Sequence, residues 1–189
     1  GYANNRRILP VLKEYRIPAV FFIATGYVGA DTAYWWDAVY RARMREGTWT
    51  TYSSAQRVAM HALLRTEAEA RVREDYGADA LASVGELDRS MTEAELRAFA
   101  QEGLVTIGNH TVDHTLLTTL PPDAIHAQIA DAQNFLERVT GLRPRAIAYP
   151  YGDSSPAVTG IAEASGLELG LTCNAHRNSL PIGQGDFLN

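Results

Sequence analysis

Apolar and polar positions along this chain alternate between helical and strand-like spacing. Residues 3–16 carry Ile8, Leu9, Val11, Leu12 and Tyr15 on one helical face, and Pro10 predicts a kink or break. Ala19 to Ala24 is a short continuous apolar run rich in β-formers, preceded by Pro18 and followed by Gly26. It predicts a strand buried on both faces. Residues 33–46, with Trp35, Trp36, Val39 and Tyr40, predict a helix. Residues 54–75 are rich in Ala, Arg and Glu and predict a solvated helix, with Glu67/Arg71 and Glu69/Arg73 as i,i+4 pairs. These two helices interrupt the rhythm, so the stretch around 33–90 reads as a helical excursion from the main fold.

Regular alternation returns at Thr92. Thr92 and Glu95 are spaced as a capping box and predict a helix through about Glu102, stopped by Gly103. Leu104 to Ile107 predicts a strand ending at Gly108-Asn109. From Pro122 to Thr140, the residues Ile125, Ile129, Ala132, Leu136 and Val139 recur at spacings of four and three, with Gly141 placed as a C-terminal cap. Ala146 to Tyr149 predicts a further strand. Ser155-Pro156 reads as N-cap and first residue of a helix to Ser165, and Leu167 to Cys173 as the last strand. Repeated strand–helix units predict an α/β fold, a parallel sheet with helices outside, open or closed as a barrel. Chemistry in such folds gathers at the C-terminal ends of strands. Three of those ends are unusual: Thr25-Gly26-Tyr27, Gly108-Asn109-His110, and Tyr149-Pro150-Tyr151-Gly152-Asp153.

Composition narrows the chemistry. The 189 residues include 17 basic and 22 acidic side chains, a formal net charge of −5. That balance argues against nucleic acid as a partner, because phosphate binding needs a surplus of Lys and Arg. An apolar content of 46 % supports a folded core rather than disorder. No apolar run approaches the roughly 20 residues of a membrane span. The single cysteine, Cys173, excludes an internal disulfide and a cysteine zinc site, so any metal is left to His and carboxylates. Cys173 itself reads as a small buried side chain.

His110-Thr111-Val112-Asp113-His114 is the strongest candidate. Two histidines four apart can face one way on a helical turn and converge on one cation, and neutral imidazole suits Zn²⁺ and other first-row divalent ions. The spacing alone is weak evidence and fits a capping or core-edge histidine beside a solvated one better than a metal. Its place directly after a buried strand favours the metal. A catalytic centre usually needs three protein ligands, so a carboxylate has to complete the set, with Asp31, Asp37, Asp113 and Asp153 as candidates. The turn Tyr149-Pro150-Tyr151-Gly152 can aim a backbone N–H at an oxyanion, or be an ordinary tight turn. His61 and His126 lie on predicted helices and read as solvated, and His176 as a polar loop histidine that could serve as a general acid. Trp35 and Trp36 could stack on a sugar ring, or divide between core and interface.

Taken in order, these pieces resemble the polysaccharide deacetylases, the NodB-type domain of carbohydrate esterase family four. Gly1-Tyr2-Ala3-Asn4-Asn5 resembles the end of the family's first motif, Thr-Phe-Asp-Asp-Gly-Tyr, and Ile17 to Phe22 resembles the Pro-Ala-Thr-Phe-Phe strand after it. His110 to His114 matches His-Ser/Thr-x-x-His, with Thr111 at the Ser/Thr position. Tyr149-Pro150-Tyr151-Gly152 resembles Arg-Pro-Pro-Tyr/Phe-Gly. The resemblance runs along essentially the whole chain. It implies a single domain over 1–189, partial at both ends: a distorted, incomplete (β/α) barrel lacking its first strand. It also implies a zinc-type divalent metal on His110 and His114, and hydrolysis of acetyl groups, N-acetyl and by extension O-acetyl, on a glycan. In that scheme the Tyr151 backbone N–H is the oxyanion donor. Tyr149, Tyr151, Gly152 and Asp153 meet substrate, and Thr111 braces the histidine loop. The implied partner is an acetylated glycan, with no nucleic acid and no membrane span. The implied setting is a bacterial cell envelope or secretion. Oligomeric state stays open.

The sequence departs from the pattern in three places. The two motif-one aspartates, a metal ligand and the general base, are expected just before Gly1. Ala148 stands at the motif-three arginine position, with Arg145 three residues earlier. The Leu-x-His motif that supplies the general acid is not recognisable. The expectation is therefore weak metal binding and little or no turnover by these 189 residues alone. A non-catalytic carbohydrate-binding domain, or a hydrolase of a small amide, are the alternatives.

Overall fold

Four short apolar segments pair side by side as one parallel sheet in the order β1 (Ala19–Ile23), β2 (Val105–Asn109), β3 (Ala146–Ala148) and β4 (Leu169–Leu171). They belong to a computed structural model that describes residues 2–47 and 54–174. Parallel neighbours need crossover connections, and helices supply them. Between β1 and β2 run α2 (Trp35–Arg45), α3 (Ser54–His61), α4 (Arg65–Tyr76) and α5 (Glu93–Ala100). Between β2 and β3 runs α6 (Pro122–Thr140), and between β3 and β4 runs α7 (Pro156–Ala164). Upstream of β1, a 3₁₀ stretch (Ala3–Ile8) leads into α1 (Leu9–Tyr15), with Pro10 in the first turn, where its missing N–H costs nothing. The register runs from Ala19 opposite Val105 to Ile23 opposite Asn109. Among the described residues no helix is long and apolar enough to cross a membrane.

Helix ends follow the local chemistry. Thr92 Oγ1 accepts from Glu95 N at 3.2 Å and Glu95 Oε2 accepts from Thr92 N at 3.0 Å, which closes the capping box of α5. Ser155 Oγ accepts from Val158 N at 3.3 Å at the start of α7. The expected single helix over 54–75 is instead two. Glu67 turns back to accept the Leu64 N–H at 2.9 Å and opens a new helix there. That use takes Glu67 away from Arg71, which pairs with Asp75 at 2.9 Å. The other expected pair, Arg73 with Glu69, forms at 3.4 Å.

Apolar side chains gather in three clusters. Ile23, Met91, Leu96, Phe99, Leu136 and Val139 pack on one side of the sheet, and Leu117, Ile125, Ile129, Ile147, Tyr149 and Val158 form a second group. The excursion has a core of its own, built from Tyr27, Tyr34, Trp35, Val39, Met60, Val72 and Leu81. Helix α4 is therefore not merely solvated. Ala68 and Val72 face inward, and buried Glu69 is satisfied by Arg65 at 2.5 Å and by Arg73. Strand β1 is not buried on both faces either. Among the described residues it lies at the edge of the sheet, and Val20 is 50 % exposed.

Gly108 lets Phe22 lie across β2: a Cβ at this position would sit 2.4 Å from the Phe22 ring and 3.3 Å from the Ala146 carbonyl oxygen. Gly108→Ala should cost about 1–3 kcal/mol by overpacking. Gly103→Ala, where a Cβ meets open space, should stay within about 0.5 kcal/mol. Urea unfolding of both checks this, and equal effects would refute it.

Glu95 joins Arg89, at 2.8 Å, to Arg6, also at 2.8 Å. The Arg89 hydrogen bonds hold its pKa down at about 2, against an ordinary 4.5. The stability this carboxylate supplies is complete above about pH 4.5 and lost as the pH falls toward 2. Glu95→Gln should lower stability at pH 7 and flatten the acid limb of a stability–pH curve. An unchanged acid limb would show that other carboxylates carry it.

Candidate metal centre

The chain leaves β2 through a turn whose backbone is held by side chains. His110 N donates to Ile23 O at 3.2 Å, and Thr25 N and Gly26 N donate to Thr111 O and Val112 O at 3.0 and 2.9 Å. The loops after β1 and β2 thus stay paired beyond the ladder. Thr111 and His114 take left-handed backbone angles, φ 64° and 59°. For residues with a Cβ that conformation costs about 1–2 kcal/mol each. Buried amides offset the cost. Asn109 Oδ1 accepts from Thr111 N at 2.8 Å, while its Nδ2 donates to Ile129 O at 3.0 Å and to Gln133 Oε1 at 3.2 Å. Gln128 Oε1 accepts from Val112 N and Asp113 N, and its Nε2 donates to Asp113 Oδ2 at 2.7 Å. Thr111 is fully buried, and its Oγ1 accepts from His114 N at 3.1 Å.

This turn brings His110 and His114 together, with ring centroids 4.5 Å apart and planes at 81°. His110 Nδ1 lies 2.6 Å from Ala148 O. A carbonyl only accepts, so Nδ1 carries the proton and the Nε2 lone pair is left free for another partner. His114 Nδ1 is buried and has no hydrogen-bond partner among the described residues. Burial lowers the pKa of both rings, and His114, which also feels His110, is pushed down to about 3. Both are neutral at pH 7, the form that binds metal ions.

The two rings open onto a cleft of 480 Å³ walled largely by aromatics: Tyr2, Phe22, Tyr34, Trp36, His61 and Tyr151. Trp36 lies 4.9 Å from His114 between centroids, and Tyr151 meets His114 edge-on at 4.8 Å. Trp36 Nε1 donates to Tyr2 Oη at 2.9 Å, and Tyr2 Oη donates to Asp37 Oδ2 at 2.7 Å, which fixes the indole. Trp35 is core, so the adjacent tryptophans do divide between interior and cleft. Two residues differ from expectation. His61 is not solvated: α3 packs against the histidine loop and turns the ring into the cleft. Its signal was invisible because the helical pattern of α3 does not say what covers it. Cys173 is exposed rather than buried, because it follows an edge strand.

The other candidates are placed as follows. Among Tyr149, Tyr151, Gly152 and Asp153, the cleft is lined by Tyr151. Tyr149 is buried in the core. Gly152 sits with φ 72° against Cys173, where a Cβ would lie 2.3 Å from the Cys173 nitrogen. Asp153 accepts from Thr118 N and Oγ1 at 2.8–2.9 Å. Tyr151 has a left-handed backbone, φ 60°, and a buried hydroxyl with no partner among the described residues. Asp113 is taken by Gln128, Asp37 by Tyr2, and Asp31 is exposed. Arg145 is exposed and pairs with Glu168, so it points to no base at this site. His126 is exposed on α6, and His176 lies outside the described residues. Among the described residues no three His, Cys, Asp or Glu side chains converge as a metal site. The two histidines fit a divalent ion by their free and orphaned nitrogens, but as a two-donor half-site.

The family model for polysaccharide deacetylases matches residues 1–170. YxkH of Bacillus subtilis (strain 168) is 29 % identical over 82 residues, covering 43 % of this chain and 29 % of YxkH. The peptidoglycan-N-acetylmuramic acid deacetylase PdaC of the same organism is 41 % identical over 46 residues, covering 24 % of this chain and 10 % of PdaC. The chain therefore matches less than a third of the length of either relative. Among solved structures, the BpsB deacetylase domain of Bordetella bronchiseptica superposes with a TM-score of 0.59 at 19 % identity, over 97 % of this chain and 65 % of that one. That likeness shows a shared fold.

Asn109→Ala would leave Thr111 N, Ile129 O and Gln133 Oε1 each short of a partner. It should cost about 2–4 kcal/mol in urea unfolding. It should also weaken Zn²⁺ binding about 10- to 100-fold by calorimetry, the usual effect of losing a ligand's outer support. Wild-type values for both would show that the amide does not set the turn.

Proposed function

The chain belongs to the polysaccharide deacetylase family, and from that premise we propose that it serves a metal-dependent hydrolase that removes acetyl groups from a glycan. The observation that carries this reading is the pair of neutral imidazoles converging at the exit of β2, one with its proton pinned by Ala148 O, the other with a buried nitrogen that has no partner among the described residues. His110 and His114 would hold the ion, with zinc the best match to two imidazoles. When bound, such an ion is a Lewis acid that polarises an acyl carbonyl and makes water acidic enough to be a nucleophile near neutral pH. The chain's own groups do the rest. The turn at Tyr151 offers its backbone N–H to a developing oxyanion. The aromatic walls exclude water and offer flat apolar faces to sugar rings. The family implies an acetylated glycan as substrate, and PdaC, by its name, acts on peptidoglycan; the cell envelope or the extracellular space is the setting proposed with it.

A third donor, a carboxylate in this family, is not among the described residues. The described half-site alone would therefore bind metal weakly and support little turnover. The same observation favours a second reading, a glycan-binding domain without turnover, in which Ala148 in place of the arginine costs nothing. Half-buried imidazoles kept neutral, one with a nitrogen that has no partner among the described residues, weigh against it, because a binder gains nothing from them.

Acetate release from acetylated chito-oligomers separates the two readings. The enzyme reading expects chelator-sensitive release from the intact protein, falling at least about 100-fold in His110→Ala and His114→Ala, since the ion supplies several kcal/mol to the transition state. Glycan binding that survives both substitutions, with no acetate at any Zn²⁺ loading, would establish the binding reading instead.

A further inference from the structure

The helical excursion reaches the cleft through His61, the last residue of α3. Its carbonyl accepts two hydrogen bonds from the segment just behind His114, from Leu116 N at 2.9 Å and Thr115 Oγ1 at 3.0 Å. The end of α3 is thereby fixed against the histidine loop. The imidazole then lies flat on the Tyr151 ring, with centroids 3.8 Å apart and planes within 7°. Trp35 packs beside it at 5.5 Å. Tyr151 is a residue that needs holding. Its backbone is left-handed, φ 60° and ψ 9°, without being glycine, and its buried hydroxyl finds no partner among the described residues. A hydrogen bond does not anchor the phenol, so ring contacts must.

We propose that His61 is a positioning residue for Tyr151. Its flat face clamps the phenol and holds the Tyr151 backbone in the left-handed turn at the rim of the cleft. The excursion is then a working wall of the site, and its task at this point requires a planar ring rather than a ring nitrogen. The proposal gives His61 no ligand role; among the described residues no three His, Cys, Asp or Glu side chains converge as a metal site. The kinetic consequence rests on the hydrolase reading above; the structural one does not.

The test compares His61→Ala, His61→Leu and His61→Phe in the ¹H–¹⁵N and aromatic NMR spectra of the Zn²⁺-free protein, with kinetics alongside. The Tyr151 amide and ring signals should shift in the Ala and Leu variants and hold near wild-type positions in the Phe variant. Leu fills the volume without a planar face, so it separates clamping from simple loss of packing. In acetate release, His61→Ala should lower kcat about 10- to 100-fold with little change in KM, as a small misplacement does. Phe should restore most of that loss, and Zn²⁺ affinity should be unchanged throughout. A Tyr151 amide unmoved by His61→Ala would overturn the proposal. So would a Phe variant as perturbed as the Ala variant, which would assign the role to a ring nitrogen. If the wild-type protein releases no acetate, the functional reading fails while the Tyr151 signals still decide this one.

Discussion

The site depends on a turn that an ordinary chain would avoid. Directly after β2 the backbone must become left-handed at Thr111 and again at His114, and neither residue is glycine. A backbone that relaxed to the usual right-handed angles would point the two imidazoles in different directions. The turn persists because each exposed backbone donor meets a buried side-chain acceptor. Asn109, Gln128 and the Thr111 hydroxyl take the N–H groups of Thr111, Val112, Asp113 and His114. Gln128 and Gln133 sit on α6, so the long amphipathic helix does two jobs. Its apolar stripe builds the core, and its inward amides set the histidine loop. Buried networks of this kind are costly when one member is missing, which makes them good at fixing a single geometry.

A second constraint comes from the excursion. Its helices would be poorly held as an appendage, and they carry a core of their own instead. Arg65 ties that core to the exit of β1: its guanidinium reaches the Gly26 carbonyl, Glu69 and Thr32, and lies over the Tyr27 ring. The excursion thus closes one side of the cleft with Trp36 and His61, while β1 contributes Phe22 and the turn after β3 contributes Tyr151. The aromatic enclosure keeps His110 and His114 neutral, because burial penalises the protonated ring.

Most of this fold was legible in the chain's periodicity. The capping box at Thr92, the 19-residue helix from Pro122 to Thr140 and the Ser155-Pro156 start all form where the pattern places them, because each rests on contacts between residues close in sequence. What escaped depends on distant partners. Whether β1 is buried on both faces depends on what packs against it; the break before α4 is the local exception, a cap in which Glu67 accepts from Leu64 N three residues away. The convergence of His110 and His114 was legible as a spacing, but the amides that enforce it were not. Asn109 reaches Gln133 24 positions on, and Gln128 reaches back 15 and 16 positions to Asp113 and Val112, while on its own each amide looks like any polar residue. His61 escaped for the same reason: its helix face is defined by a loop more than 50 residues away.

The arrangement also bears on why a two-donor half-site would be kept. Each feature around the histidines carries a cost: left-handed backbone at two loop positions, and a buried nitrogen and a buried phenol hydroxyl that have no partner among the described residues. A surface that only recognised sugars would need the aromatic faces and none of these. An ion with a further carboxylate would turn the same features to use, since it needs neutral imidazoles, one tautomer fixed by an outer acceptor, and a rigid loop. Ala148 illustrates the economy. Its side chain offers nothing, but its carbonyl selects the His110 tautomer, a task that any residue at this position can perform. The departure from the family's arginine therefore leaves the contact between His110 and the β3 carbonyl in place. Setting the two imidazoles and completing a reaction are in this way separable: the loop after β2, with α6 and the β3 carbonyl, does the first, and the second needs groups that those elements do not carry.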